Sequence, residues 1–155
     1  MTKLRATMAL AAEIANIDRQ RFNEAVAEGF YPCAPKTVAG RARTFGLDDL
    51  LALKLYGEML REGVTPRHAG STACEFLAFL RCNPGADKAL HVRSQMGSPV
   101  WLLPEHFNPD HTHMSGTGII SVREWRLSFW RDFAVAMLED AANVVGAKDD
   151  SEAND

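Results

Sequence analysis

Residues 17–45 read IDRQRFNEAVAEGFYPCAPKTVAGRARTF, and the order of features within them decides the fold. Asp18 stands where an N-cap belongs, able to accept from the free amides of a first helical turn, and the helix it opens over residues 19–28 is stopped by Gly29. Residues 31–40, with two prolines and a glycine, break any regular element, and KTVAGRARTF (residues 36–45) forms a basic loop or hairpin. Upstream, Thr7 can cap a short helix over residues 8–15, and the connection Asn16–Ile17–Asp18 carries one apolar residue, Ile17, as packing between two short helices requires. Downstream, Leu50, Leu53, Tyr56 and Leu60 predict a third helix over residues 47–62, ended by Gly63. Thr65 and Pro66 open a fourth, whose stripe Ala69, Ala73, Phe76, Leu77 and Leu80 runs until Asn83–Pro84.

The remainder of the chain limits what this module can belong to. Of 155 residues 46% are hydrophobic and 24% charged, a globular balance that argues against wholesale disorder. No apolar run reaches the roughly 18–20 residues that span a bilayer. The opening MTKLRATMALAAEIAN is broken early by Glu13 and reads as the start of a folded domain, so a cytoplasmic protein is expected. Cys33, Cys74 and Cys82 are odd in number and follow no paired spacing, which predicts reduced, partly buried thiols. The net charge of −3 disfavours nucleic acid as a partner of the whole surface, but residues 1–68 carry +2 and residues 69–155 carry −5. A phosphate-facing surface therefore belongs to the first third, where residues 1–45 hold seven basic and four acidic side chains.

The second half changes character. Residues 88–93 alternate as a half-buried strand does, residues 100–103 form a second candidate strand across a Gly97–Ser98–Pro99 turn, and Ile119–Ile120 a third. Ser121 and Glu124 have the spacing of a capping box ahead of a long helix reaching about Val145. On that helix Val122, Trp125, Leu127, Phe129, Trp130, Phe133, Ala134, Met137 and Leu138 spread over about 200°, twice the stripe that packing on one small domain needs. Trp125, Phe129, Trp130, Phe133 and Met137 are accordingly expected at a homodimer interface. The acidic residues 147–155 are expected to form a disordered tail.

Helix–turn–helix, basic loop, helix is the order in which winged-helix DNA readers are built, with the second helix entering the major groove and the wing touching flanking phosphates. On its first turns that helix carries Arg19, Gln20, Arg21 and Asn23, of which arginine can pair with guanine and glutamine or asparagine with adenine. Lys36, Arg41 and Arg43 are the phosphate candidates of the wing, with Asp48 or Asp49 as an alternative partner for Arg43. Taken as an isolated helix, such a face reads as no more than solvated, which Glu24 and Glu28 favour slightly, whereas the basic wing behind it favours base or phosphate contact. The stretch from Ile17 to Gly29, then Phe30 and Pro32, and GRARTFGLDDLLALKLYGEMLREGVTP with Arg43, Phe45, Asp49, Leu50, Leu53, Leu60 and Gly63, resemble the MerR-type winged helix-turn-helix family over about residues 7–80. The resemblance implies a four-helix winged helix-turn-helix domain over residues 1–82 and a dimeric, duplex-DNA-binding transcriptional regulator of bacterial type. Residues 86–146 would then supply a small antiparallel β segment and a dimerisation helix, giving a mainly α, α+β chain. Where the family usually has Arg-Tyr-Tyr this chain has Asn23–Glu24–Ala25, which motivates an alternative: an adaptor or antagonist using the same fold to bind protein.

Other chemistries are weakly supported. His106, His111 and His113 share the loop PEHFNPDHTH, but no cysteine lies nearby and a solvent-facing loop is the expectation, with no metal and no cofactor. Gly116–Thr117–Gly118 is too short for a phosphate cradle, and no nucleophile elbow surrounds any serine, so an enzyme is not expected.

Overall fold

The computed structural model describes residues 4–152, and for residues 143–152 the helical backbone alone. Among these residues the fold is α+β, with five α-helices and two small antiparallel sheets. Its first half opens with β1 (Ala6–Thr7), α1 (Met8–Ala15) and α2 (Arg19–Ala27), and each helix has the cap its sequence indicates. The Leu10 amide donates to Thr7 Oγ1 at 3.2 Å, and the Arg21 amide to Asp18 Oδ1 at 2.8 Å. Strand β2 (Thr44–Phe45) then pairs antiparallel with β1, Ala6 opposite Phe45, which brings the far end of the basic loop back to the start of α1.

Helices α3 (Leu47–Arg61) and α4 (Pro66–Cys82) complete this half. The turn between α1 and α2 is clamped by α3: a Cβ at Gly57 would sit 2.8 Å from both the Ala15 carbonyl oxygen and Ile17 Cγ2, so only glycine allows this approach. One turn on, Arg61 Nη1 donates to the Asn16 carbonyl at 2.7 Å.

The second half is a four-stranded sheet in the order β4-β3-β6-β5, formed by β3 (Lys88–Ser94), β4 (Val100–Leu102), β5 (His113–Met114) and β6 (Thr117–Arg126). A 3-10 turn at Pro104–His106 follows β4, and α5 (Leu127–Glu152) follows β6. Here the sequence expectation is corrected. Ser121 and Glu124 cap no helix; they lie in mid-strand opposite Arg93 and Leu90. Pairing with β3 satisfies the backbone of this stretch and seats Trp125 in the core beside Ala89, and that long-range gain overrides the local capping pattern. The helix begins only at Leu127, whose amide donates to the Asp87 carbonyl at 2.8 Å, while Ser128 Oγ reaches Asp87 Oδ1 at 3.0 Å. It runs past Val145 to Glu152, where a disordered tail was expected from residue 147; residues 153–155 lie outside the described residues.

Two apolar clusters join the halves. Ala134 and Leu138 of α5 pack with Leu50, Leu53 and the α1 residues, while Ala89, Trp125 and Leu127 pack with Leu51, Leu55, Phe76 and Leu80. Both clusters draw on residues from either side of residue 84. At the surface Arg123 donates to both Glu62 carboxylate oxygens, at 2.7 and 2.6 Å, and lies 3.9 Å over the Trp125 ring, tying β6 to the end of α3. The cysteine expectation is also corrected. Cys33 and Cys74 are joined in a disulfide, their Cα atoms 5.5 Å apart, and Cys82 alone is free and exposed.

Candidate functional site

What aims α2 is a box of four aromatic rings. Phe22, 1% exposed, packs edge-on to Tyr31 with ring centres 5.0 Å apart and to Tyr56 at 5.9 Å, and lies 6.3 Å from Phe45 of β2. Burial pushes the Tyr31 phenol upward, with Asp49 and Tyr56 adding to the effect, and burial raises Tyr56 too, so the box is uncharged at any ordinary pH. One side chain thus fixes the orientation of α2 and links it to the strand that ends the basic loop.

With Phe22 and Ala25 inward, the opposite face of α2 follows from the helical period. Gln20, Asn23, Glu24 and Ala27 lie at its centre, and Arg19 and Arg21 flank it at about 100° to either side. All of these side chains are exposed, and Gln20 Nε2 donates weakly to Glu24 Oε1 at 3.4 Å. The centre therefore offers amide donors and acceptors together with the Glu24 carboxylate, and the flanks offer cations.

The basic loop begins after Tyr31 and ends at Phe45, both packed against Phe22 of α2. Lys36 and Arg41 are exposed; Arg43 is half-buried, and its Nη1 is enclosed without a hydrogen-bond partner among the described residues. The alternative pairing of Arg43 with Asp48 or Asp49 does not form. Asp49 instead accepts from the Gly46 amide at 2.9 Å, lies 3.9 Å from Arg5 and 3.6 Å from Arg81. Arg5 is the residue that the sequence reading missed. It donates to Thr44 Oγ1 at 2.9 Å and to the Thr44 carbonyl at 3.0 Å, which places a further cation at the foot of the loop. The β1–β2 pairing brings it there, and a two-residue strand leaves no periodic trace in sequence.

The five residues expected at a dimer face separate. Trp125 is a strand residue, 8% exposed, with Arg123 above it and Trp130 at 5.4 Å; it is part of this chain's own core and is withdrawn from the interface. Trp130 and Met137 are half-buried. Phe129 and Phe133, one turn apart on α5, are 74% and 44% exposed. The loop histidines do not converge: among the described residues no three His, Cys, Asp or Glu side chains are grouped to hold a metal. No described helix is long and apolar enough to cross a membrane.

Searches by family model and against curated protein sequences found nothing that matches this chain. The functional reading therefore rests on the surface just described.

Proposed function

We propose that this chain is a duplex-DNA-binding transcriptional regulator that acts in the cytoplasm as a homodimer, with residues 1–82 as a winged helix-turn-helix of the MerR type. The observation that carries the reading is a shared anchor: α2, which bears the polar face, and the two ends of the cationic loop, at Tyr31 and Phe45, meet in the Phe22–Phe45–Tyr31–Tyr56 box. In the major groove Gln20 and Asn23 at the centre of the face read base edges, adenine being the natural partner of an amide, while Arg19 and Arg21 reach phosphates or guanine on either side. Lys36, Arg41 and Arg43 form the wing contacts. No cofactor enters this mechanism.

The test is a salt titration on duplex DNA. With about four to six phosphate contacts per subunit, log affinity falls steeply and linearly with log salt. Arg21→Ala and Arg43→Ala each reduce the steepness by about one unit. Equal slopes in wild type and both variants refute the interface.

A second reading is favoured by Phe129 and Phe133, whose exposure suits a contact with protein. In it the same fold is an adaptor that binds another protein and has no DNA ligand. A duplex-independent partner that copurifies with the wild type and is lost on Phe129→Ala supports this reading over the first.

A further inference from the structure

The segment that leaves α2 and enters the basic loop is pinned along one face of α4 at positions spaced i, i+3 and i+7. Arg67 lies 5.5 Å from the centre of the Phe30 ring. At Gly70 the helix comes so close that a Cβ would collide with the Phe30 carbonyl. Cys74 carries the third point, the bond to Cys33, and its sulfur also receives the Cys33 amide at 3.3 Å. The first two contacts hold the end of α2; the third holds the place where the chain turns away. Beyond Cys33 the loop has few supports of its own before Thr44, among them an Arg41 amide to Val38 carbonyl bond at 2.9 Å. Residues 36–42 are all exposed. The disulfide is therefore the near foot of the loop, and the β1–β2 pair is its far foot.

The Cys74 end of the bond borders a surface groove. Cys74, with Gly29, Phe30, Pro32 and Ser71, lines an open groove of about 510 Å³, room for a tripeptide thiol to approach. Cys82, two turns further along α4 and on the order of 12 Å away, is too distant to resolve Cys74, so exchange must be with an external thiol.

We propose that Cys33–Cys74 is a reversible redox strap on the basic loop, exchanging with low-molecular-weight thiols and disulfides of the glutathione class that enter this groove. A thiolate attacks Cys74 Sγ, the Cys33–Cys74 bond breaks, and Cys33 leaves as a thiolate that takes a proton from solvent. A second thiolate attacks the outer sulfur of the mixed disulfide, releasing the small disulfide and the Cys74 thiolate, which is protonated in turn. The protein gains two electrons and two protons, and the two small thiols lose them. Oxidation is the reverse, with glutathione disulfide as the acceptor. Reduction frees the loop, while α2 keeps its place through Phe22, whose ring contacts do not involve the strap. The consequence for DNA, loss of the wing contacts, rests on the function proposed above; the strap itself does not.

The experiment equilibrates the full chain in glutathione buffers from fully reduced to fully oxidised, quenches in acid, counts alkylated thiols by mass, and follows amide exchange in parallel. Cys33 and Cys74 are expected to titrate together and reversibly with no glutathione retained at either end point, while the exposed Cys82 is alkylated in the reduced buffers and carries one glutathione in the oxidised ones, a difference the mass reads directly. Exchange across residues 33–43 should accelerate by about an order of magnitude on reduction, with α2 unchanged. The double variant Cys33→Ser/Cys74→Ser should exchange at the fast rate in every buffer, and Cys82→Ser should behave as wild type. The proposal is overturned if both cysteines label even in fully oxidised glutathione, if neither labels in the fully reduced buffer, or if loop exchange is the same in both states. Titration and exchange as expected in a protein that binds no DNA would support the strap and refute the DNA reading.

Discussion

Replacing Gly70 by alanine sets two effects of opposite sign against each other and reads out how closely α4 presses on the end of α2. Alanine in a helix interior is favoured over glycine by about 1 kcal/mol, so propensity alone predicts a more stable protein. The added methyl, however, would overlap the Phe30 carbonyl oxygen and come within 2.9 Å of the carbonyl carbon. These are backbone atoms, and no side-chain rotation relieves them; either α4 or the segment after α2 must move. Overpacking of this kind costs typically 1–3 kcal/mol, and a backbone clash belongs at or above the upper end. We expect a net loss of about 2 kcal/mol, seen as a fall of about 4–8 °C in Tm for a chain of this length. Urea unfolding followed by tryptophan fluorescence, under reducing conditions so that the Cys33–Cys74 bond does not hold the segment in place, measures it. Ser71→Ala is the control: exposed, next along the same helix, it gains propensity without a clash and should lie within about 0.5 kcal/mol of wild type. A Gly70→Ala protein as stable as wild type, or more so, refutes the close approach and with it the placement of Phe30.

Three further outcomes follow from particular contacts. Trp125→Ala should lose about 3 kcal/mol or more because it empties a core position, whereas Phe129→Ala should leave monomer stability within about 0.5 kcal/mol. On the proposed assembly, Phe129→Ala and Phe133→Ala shift sedimentation equilibrium toward monomer, and unchanged dimers in both would exclude that face of α5. Burial, helped by Arg93, His68 and Arg123, holds the His91 pKa below its ordinary 6.5, so the unfolded chain binds more protons than the folded one as pH falls through that value. Stability should be full above about pH 6.5 and decline as pH falls toward the folded-state pKa, and His91→Gln should flatten the slope in a pH series of urea midpoints.

The helices of the first half were legible because their ends are written in local chemistry. Thr7, Asp18 and Thr65 each accept from the amide three residues on, as their side chains allow anywhere in the chain. The second half was misread where local and long-range signals conflict. Ser121 and Glu124 fit a capping box, and nothing within ten residues says that β3 will claim the same stretch as a ladder. The error accounts for only the edge of the wide apolar arc: Trp125 does not belong on the helix wheel, but Phe129 to Leu138 still span about 180° without it. The disulfide was invisible for a related reason: its cysteines are 41 residues apart, and only the passage of α4 over the segment after α2 brings them together. At the candidate site the polar residues of α2 were readable from periodicity, whereas Arg5 needed the β1–β2 pairing to find its place.

With the wheel corrected, α5 still divides into three strips, and the division bears on assembly. Leu127, Ala134 and Leu138 face the core; Trp130 and Met137 stand at its edge; Phe129 and Phe133 lie a further quarter-turn out, in solvent. The core has therefore taken the strip it needs, and the remaining aromatic pair is left with Phe129 largely and Phe133 partly in solvent. On the proposed function, a DNA reader with a net charge of −3 would have a use for it. One copy with about four to six phosphate contacts is held weakly once counterions compete, whereas two copies joined through this strip engage two half-sites for one association cost. The same strip in the adaptor reading would instead meet an unrelated chain. The two differ in stoichiometry: a symmetric contact saturates at two copies in purified protein, with no other component required.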